Sequence, residues 1–377
     1  MMTVYAIGGC LAALLLATGL TPLVKKFAIK VGAVDVPNAR KVHTRIMPRM
    51  GGLAIFAAFV LTLLGLMLFI PDTLLGSSRD ANLVKALLAG GSIIILIGAL
   101  DDRVELSAKA KLLGQIVAAC VVVFGFDLTV DFVNVPFGDK YLFIETWVAI
   151  PLTIFWIVGV TNAINLIDGL DGLAAGVSAI AIATILVMAI FMGNPVIILL
   201  CAILLGSIIG FLFFNFHPAK IFMGDSGSLF LGFSLAVLSM LGFKQIAIMS
   251  FITPLLIIGV PLSDTFFAII RRWLQKKPIF APDKGHLHHC LRELGFSHRK
   301  TVLIIYGIAA FFGLLAVIQS VAASHDANWV TLVVICVLLV SLQLGAEVIG
   351  IVSKTRKPML NILHRLRMKV HAESRSK

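Results

Sequence analysis

VIILLCAILLGSIIGFLFF, residues 196–214, carries no charge and runs straight into NFHPAKIFMGDSGS, residues 215–228. As a helix the apolar run is about 28 Å long, close to the thickness of a hydrocarbon core. It does not alternate, so it is no half-buried strand. In lipid a helix satisfies its backbone groups internally. Similar runs recur along most of the 377 residues, of which 59% are hydrophobic and only 13% charged. Soluble domains carry about twice that share of charge. The expected fold class is all-α: a polytopic integral membrane protein with about eleven transmembrane helices. The runs lie at 4–24, 51–70, 83–100, 111–126, 143–160, 173–192, 196–214, 227–243, 247–270, 302–322 and 329–350. The first lacks a basic flank and a small-residue cleavage site, so it reads as a retained span rather than a signal peptide.

The charges orient these spans. Of 31 Lys and Arg, all but Arg79, Lys85, Lys140 and Lys244 fall on one side. Basic loops stay in the cytoplasm, which puts the N-terminus outside and the C-terminus inside. Residues 1–350 then form one transmembrane domain, with loops 25–50, 101–110, 161–172, 215–226 and 271–301 on the cytoplasmic face. Residues 351–377 form a basic tail that lies against anionic headgroups of the lipid bilayer. The net charge of +12 is thus an orientation signal, and no nucleic-acid module accompanies it. Cys10, Cys120, Cys201, Cys290 and Cys336 are scattered with no CxxC pair, which argues against a disulfide framework or a zinc site.

Carboxylates, amides and histidines collect in four loops of that one face. GALDDR, 98–103, places Asp101 and Asp102 side by side, where like charges suit a metal, a base or a bound cation. An isolated pair of this kind is also what a solvated loop start looks like. In NAINLIDGLDG, 162–172, Asn162, Asn165, Asp168 and Asp171 recur every third residue. On a continuing helix they line one face with oxygen ligands, as a hard cation shared with phosphates requires. A polar cap and turn is the blander reading. FMGDSGS, 222–228, sets Asp225 among glycines and serines at the start of an apolar helix, as a metal ligand, an N-cap or both. HLHH, 286–289, lies among Arg271, Arg272 and Lys284, a set suited to a phosphate-rich ligand; zinc with Cys290 is the rival. Phe222 in its loop is placed to stack on a base. Together the four loops describe a site for a divalent cation and a polyphosphate. A transporter would put ionisable groups near mid-membrane, and the middles of most spans are apolar.

These motifs resemble the polyprenyl-phosphate N-acetylhexosamine-1-phosphate transferases, the MraY/WecA-like superfamily. VDVPNARKVH (34–43), MPRMGG (47–52), GALDDR, NAINLIDGLDGLA, FFNFHPAKIFMGDSGSLFLG, PLSDTFFAIIRR and HLHH occur in order over most of the chain. A sister branch that uses UDP-MurNAc-pentapeptide carries three consecutive His in the last loop; HLHH is similar to the GlcNAc branch instead. The resemblance implies transfer of GlcNAc-1-phosphate from UDP-GlcNAc to undecaprenyl phosphate, releasing UMP, in the bacterial inner membrane. This would initiate a cell-envelope glycan of O-antigen, common-antigen or teichoic-acid type. It implies Mg²⁺, with Mn²⁺ as a substitute, held by Asn165 and Asp225. Asp101 and Asp102 would act as catalytic residues near the lipid phosphate, one as its base, and Lys111 would contact phosphate. Asn215 and Phe222 would face the uridine, and Asp168 and Asp171 would line the nucleotide or metal site. Arg272, His286, His288 and His289 would bind the sugar or diphosphate. A homodimer is left open.

Overall fold

The computed structural model describes residues 2–36, 46–69, 77–130, 132–134, 141–241, 252–278, 285–324 and 327–349. Its helices are α1 (Met2–Lys30), α2 (Gly52–Met67), α3 (Ser78–Val104), α4 (Ala108–Cys120), α5 (Thr146–Ile167), α6 (Leu173–Met192), α7 (Pro195–Asn215), α8 (Gly224–Ala236), α9 (Ile252–Ile257), α10 (Gly259–Leu274), α11 (Leu287–Glu293), α12 (His298–Ser324) and α13 (Asn328–Ile349). Single π-helical turns extend α4 to Gly125 and α8 to Leu241. Two antiparallel ribbons complete the described elements. One pairs β1 (Val34–Asp35) with β2 (Met47–Pro48); the other pairs β3 (Phe132–Asn134) with β4 (Tyr141–Phe143). The tail after residue 349, the 37–45 part of the first loop and residues 279–284 lie outside the described residues.

Eight helices among the described residues are long and apolar enough to cross a membrane, and α2 and the 224–240 segment are shorter apolar ones. The protein is therefore an all-α, multi-pass membrane protein. Leu11, Leu15, Leu64, Leu96, Phe124, Phe155 and Phe213 point outward from the bundle, an apolar exterior that water would penalise and lipid does not.

Local sequence explains most helix ends. Ser77 and Asp80 form a reciprocal capping box at the start of α3. Ser107 caps α4, and Asn194 caps α7 with Pro195 in the first turn. Two expectations shift. The fifth apolar run, expected at 143–160, becomes a helix over Thr146–Ile167, because β4 takes Tyr141–Phe143 and Asn162 and Asn165 carry the helix past the apolar run. The ninth, expected as one span over 247–270, breaks at Ile258 (φ −108°, ψ 25°) into α9 and α10. Pro261 has no N–H for the carbonyl of Ile257, so the ladder stops there.

The α8 helix runs through the middle of the bundle, buried from Ser226 to Ala236. Lipid tails are as apolar as Leu, so close backbone packing rather than water exclusion has to hold such a helix. Glycine supplies it. A Cβ on Gly52 of α2 would lie 2.0 Å from Gly227 N, one on Gly98 of α3 2.4 Å from Ser226 Cα, and one on Gly232 of α8 2.7 Å from Thr161 Cα on α5. Three helices thereby meet α8 at backbone distance, and their polar ends meet with them.

Candidate active site

The first turn of α8 is the centre of that polar end. Its exposed N–H groups attract an anion, and Asp102 from the last turn of α3 supplies one. Asp102 Oδ1 accepts from Asp225 N at 2.8 Å and Oδ2 from Ser226 N at 3.1 Å. Gly224 (φ 72°) makes room: a Cβ there would lie 2.4 Å from Asp102 Oδ2. Asp102 is thus the cap of α8, delivered from another helix, and Asp225 is released from that duty.

Asp225 faces three elements at once. Its Oδ2 lies 2.8 Å from Lys111 Nζ on α4, and its Oδ1 accepts from Asn165 Nδ2 on α5 at 3.1 Å. Lys111 also reaches Asp101 Oδ2 at 3.3 Å, while Asp101 Oδ1 accepts from Leu106 N. Asn165 Nδ2 donates to Ser228 Oγ as well, at 2.8 Å. Asn165 Oδ1 has no hydrogen-bond partner among the described residues. Lys111 therefore turns inward as a cation between two carboxylates.

The third-residue rhythm of Asn162, Asn165, Asp168 and Asp171 is helical only in its first half. Asn162 pairs with Gln115 of α4. The helix then ends, because Asp168 is the C-cap of α5 and Asp171 lies in the turn that Gly172 (φ 76°) closes. Asp168 is half-buried by surface but hemmed in. Desolvation, reinforced by the charges of Asp225, Asp102 and Asp171, pushes its carboxyl up to about 8, against the pull of Arg49. Asp171 turns toward the segment after α7, where His217 Nδ1 lies 2.7 Å from its Oδ2 and Ala219 N donates to the same oxygen. His298, at the start of α12, stacks on His217. The three side chains bring one ligand atom each within 4.8 Å of one another.

Asn215 is buried, and both ends of its amide are used. Oδ1 accepts from Gly172 N and Nδ2 donates to the Ile221 carbonyl, so it fastens the 168–172 turn to the loop before α8. Phe222 is half-buried, and its backbone pairs with the first loop: Phe222 N donates to Pro48 O, and Gly51 N and Gly52 N donate to Phe222 O and Met223 O.

The HLHH motif forms the N-terminus of α11 and leans on the same turn. A Cβ on Gly169 would lie 2.6 Å from His288 Nε2. Burial holds the His288 imidazole down at about 4, so it is neutral at pH 7. His286 stacks parallel to His288 and is buried against Asp264 of α10. His289 is exposed and Arg272 is buried on α10. HLHH and Cys290 do not form a metal-ligand cluster among the described residues.

The donor set around Asp225 suits a hard divalent cation. It consists of oxygens, two of its carboxylates already flank a cationic nitrogen, and one amide oxygen is uncommitted. Such a centre, with Lys111 beside it and an imidazole wall opposite the 168–172 turn, can gather a polyphosphate. Residues 84–243 match the family model described as glycosyl transferase family 4. Over 348 residues the chain is 49% identical to the probable undecaprenyl-phosphate N-acetylglucosaminyl 1-phosphate transferase of Bacillus subtilis, covering 92% of this chain and 93% of that one. The chain belongs to the polyprenyl-phosphate N-acetylhexosamine-1-phosphate transferase family. It is a phosphoglycosyltransferase of the membrane. Other relatives of the family include the decaprenyl-phosphate N-acetylglucosaminephosphotransferase of Mycobacterium tuberculosis, 38% identical over 76% of each chain. The undecaprenyl-phosphate alpha-N-acetylglucosaminyl 1-phosphate transferase of Escherichia coli K12 is 30% identical over 82% of each.

Sequence reasoning missed Ser228, His217, His298, Arg49 and the pairing of Asp264 with His286. Ser228 and His217 stand inside motifs that drew attention for other residues. Nothing in spacing could pair Asp171 with His217 across 46 positions.

Proposed function

We propose that the protein transfers GlcNAc-1-phosphate from UDP-GlcNAc to undecaprenyl phosphate on the cytoplasmic face of the bacterial inner membrane, releasing UMP. The carrying observation is the convergence of Asp101, Lys111, Asn165 and Asp225 from four helices on one point. The activities for which the relatives are named favour this donor and acceptor class over UDP-MurNAc-pentapeptide. The product would begin a cell-envelope glycan.

Asn165 and Asp225, with Asp101 beside them, would hold Mg²⁺. When bound, the ion neutralises diphosphate charge and aligns the reacting groups. Lys111 donates to phosphate oxygens and stabilises charge as it develops. The acceptor is itself a phosphate with a second pKa of about 6, so it needs little help from a base at neutral pH. Its oxygen bonds to the β-phosphorus of the donor. The bond from that phosphorus to the bridging oxygen breaks, and UMP leaves with the electron pair. Asp102, committed to the α8 backbone, holds Asp225 in place during this step. Arg272, His288 and His289 border the sugar-diphosphate side, Phe222 offers a ring to the uracil, and Asp168 and Asp171 line the turn between them.

The test is purified protein with undecaprenyl phosphate, Mg²⁺ and radiolabelled UDP-GlcNAc, with and without EDTA. Labelled lipid and UMP should form and should disappear with EDTA. Asp225→Asn should remain folded in detergent and lose at least about a hundredfold in turnover. Absence of labelled lipid beside an active control enzyme would sink the substrate assignment.

A further inference from the structure

Asp264 has no role in the transfer just described, yet both of its carboxylate oxygens are engaged by the HLHH motif. It is 3% exposed, and His286 is 6% exposed. Asp264 Oδ2 lies 2.9 Å from His286 Nδ1, and Oδ1 accepts from Leu287 N at 2.8 Å. The cavity wall it shares is mostly apolar, with Val260, Phe267, Leu291 and Phe312, and carries two hydroxyls, those of Ser263 and Ser341. A buried carboxylate in such a place is costly unless both oxygens are satisfied, and here the satisfaction comes from the motif itself.

We propose, building on the transferase reading above, that Asp264 is the positioning residue of His286. An ionised carboxylate only accepts hydrogen bonds, so the proton of the imidazole is held on Nδ1. The second bond, to Leu287 N, fixes the backbone one residue on, so the ring cannot swing to a different edge. Nε2 is then the one nitrogen of His286 that can exchange a proton or a hydrogen bond with the sugar diphosphate, and no described residue bonds to it. The low-dielectric wall strengthens the pair. The neighbouring His288, stacked parallel at 5.9 Å and seated on Gly169, carries this fixed ring plane to the 168–172 turn.

A purely structural Asp264 would cap α11 and do nothing more. Asp264→Asn separates the two roles. Its side-chain oxygen can still accept from Leu287 N, but its NH₂ group faces Nδ1 and moves the ring proton to Nε2. In the labelled-lipid assay with full-length protein, kcat should fall by roughly a hundredfold or more, with KM for UDP-GlcNAc changed far less. Asp264→Glu should recover part of the loss. In a His286→Ala background Asp264→Asn should cost nothing further, since the two act as one unit. Losses that multiply in the double variant would overturn the proposal. So would near-normal turnover of Asp264→Asn, or full activity of His286→Ala. If Asp264→Asn does not fold, the Asp264→Glu defect carries the same cycle, and its persistence without His286 would overturn the proposal equally. A wild-type protein that makes no labelled lipid strikes the transferase reading instead, and Asp264 falls with it.

Discussion

The ammonium of Lys111 on α4 sits 2.8 Å from Oδ2 of Asp225 on α8, with Asp101 Oδ2 of α3 on its other side at 3.3 Å. One cation therefore ties three helices. Lys111→Ala leaves two carboxylates facing each other. The variant should lose roughly 1–3 kcal/mol of stability in EDTA, below the range for fully buried pairs because Lys111 is partly exposed. Mg²⁺ should then raise its melting temperature more than it raises that of wild type. An equal Mg²⁺ response in the two proteins would remove Lys111 from the cation site.

The glycine contacts of α8 predict a sharp contrast within one helix. On α2, Gly52 abuts Gly227 backbone, whereas a Cβ on Gly65 meets nothing within 4 Å. Gly52→Ala should cost more than the roughly 1–3 kcal/mol of ordinary overpacking, since backbone rather than a flexible side chain stands in the way. Gly65→Ala should be neutral or mildly stabilising. Melting curves in detergent give the comparison.

Asp168, with its carboxyl raised to about 8, holds its proton in the folded protein where the unfolded chain has lost it. A raised folded value means the stability contribution is complete below about pH 4 and declines as pH climbs from about 4 to about 8. Asp168→Asn cannot ionise. Its melting temperature relative to wild type should rise across that window in EDTA and level off above it. A constant difference from about pH 5 to about pH 8.5 would show that Asp168 is not shielded as described.

The proposed orientation can be checked by labelling. In a background without the native cysteines, Ser78→Cys should react with an impermeant maleimide in intact cells. Arg299→Cys should react only after permeabilisation. Both positions are exposed, so the reverse pattern would invert the topology.

The apolar runs made the helices legible, and α6 and α7 fall within a residue of the runs that announce them. The break at Ile258 was readable in principle from Pro261, but the surrounding apolar residues masked it. At the site, Asp101, Lys111, Asn165 and Asp225 do come together. What spacing cannot convey is commitment. Asp102 and Asn215 look as available in sequence as Asp225, yet both spend their hydrogen bonds on backbone. Likewise, Asp264 sits in an apolar stretch and acquires meaning only when α11 folds back on it.

The backbone pairing between the first loop and residues 222–223 has a consequence for how the molecule can be divided. The stretch matched by the family begins at residue 84, but the peptide groups of Pro48, Gly51 and Gly52 hold the lead-in to Asp225. A fragment beginning at α3 would bring Asp101, Lys111, Asn165 and Asp225 and still leave that lead-in unpaired on one side. Residues 1–69, supplied as a separate chain, offer the missing groups together with α1, which packs along α7. The two pieces, cut where no described hydrogen-bonded ribbon crosses, should reassemble in one membrane and restore turnover that neither has alone.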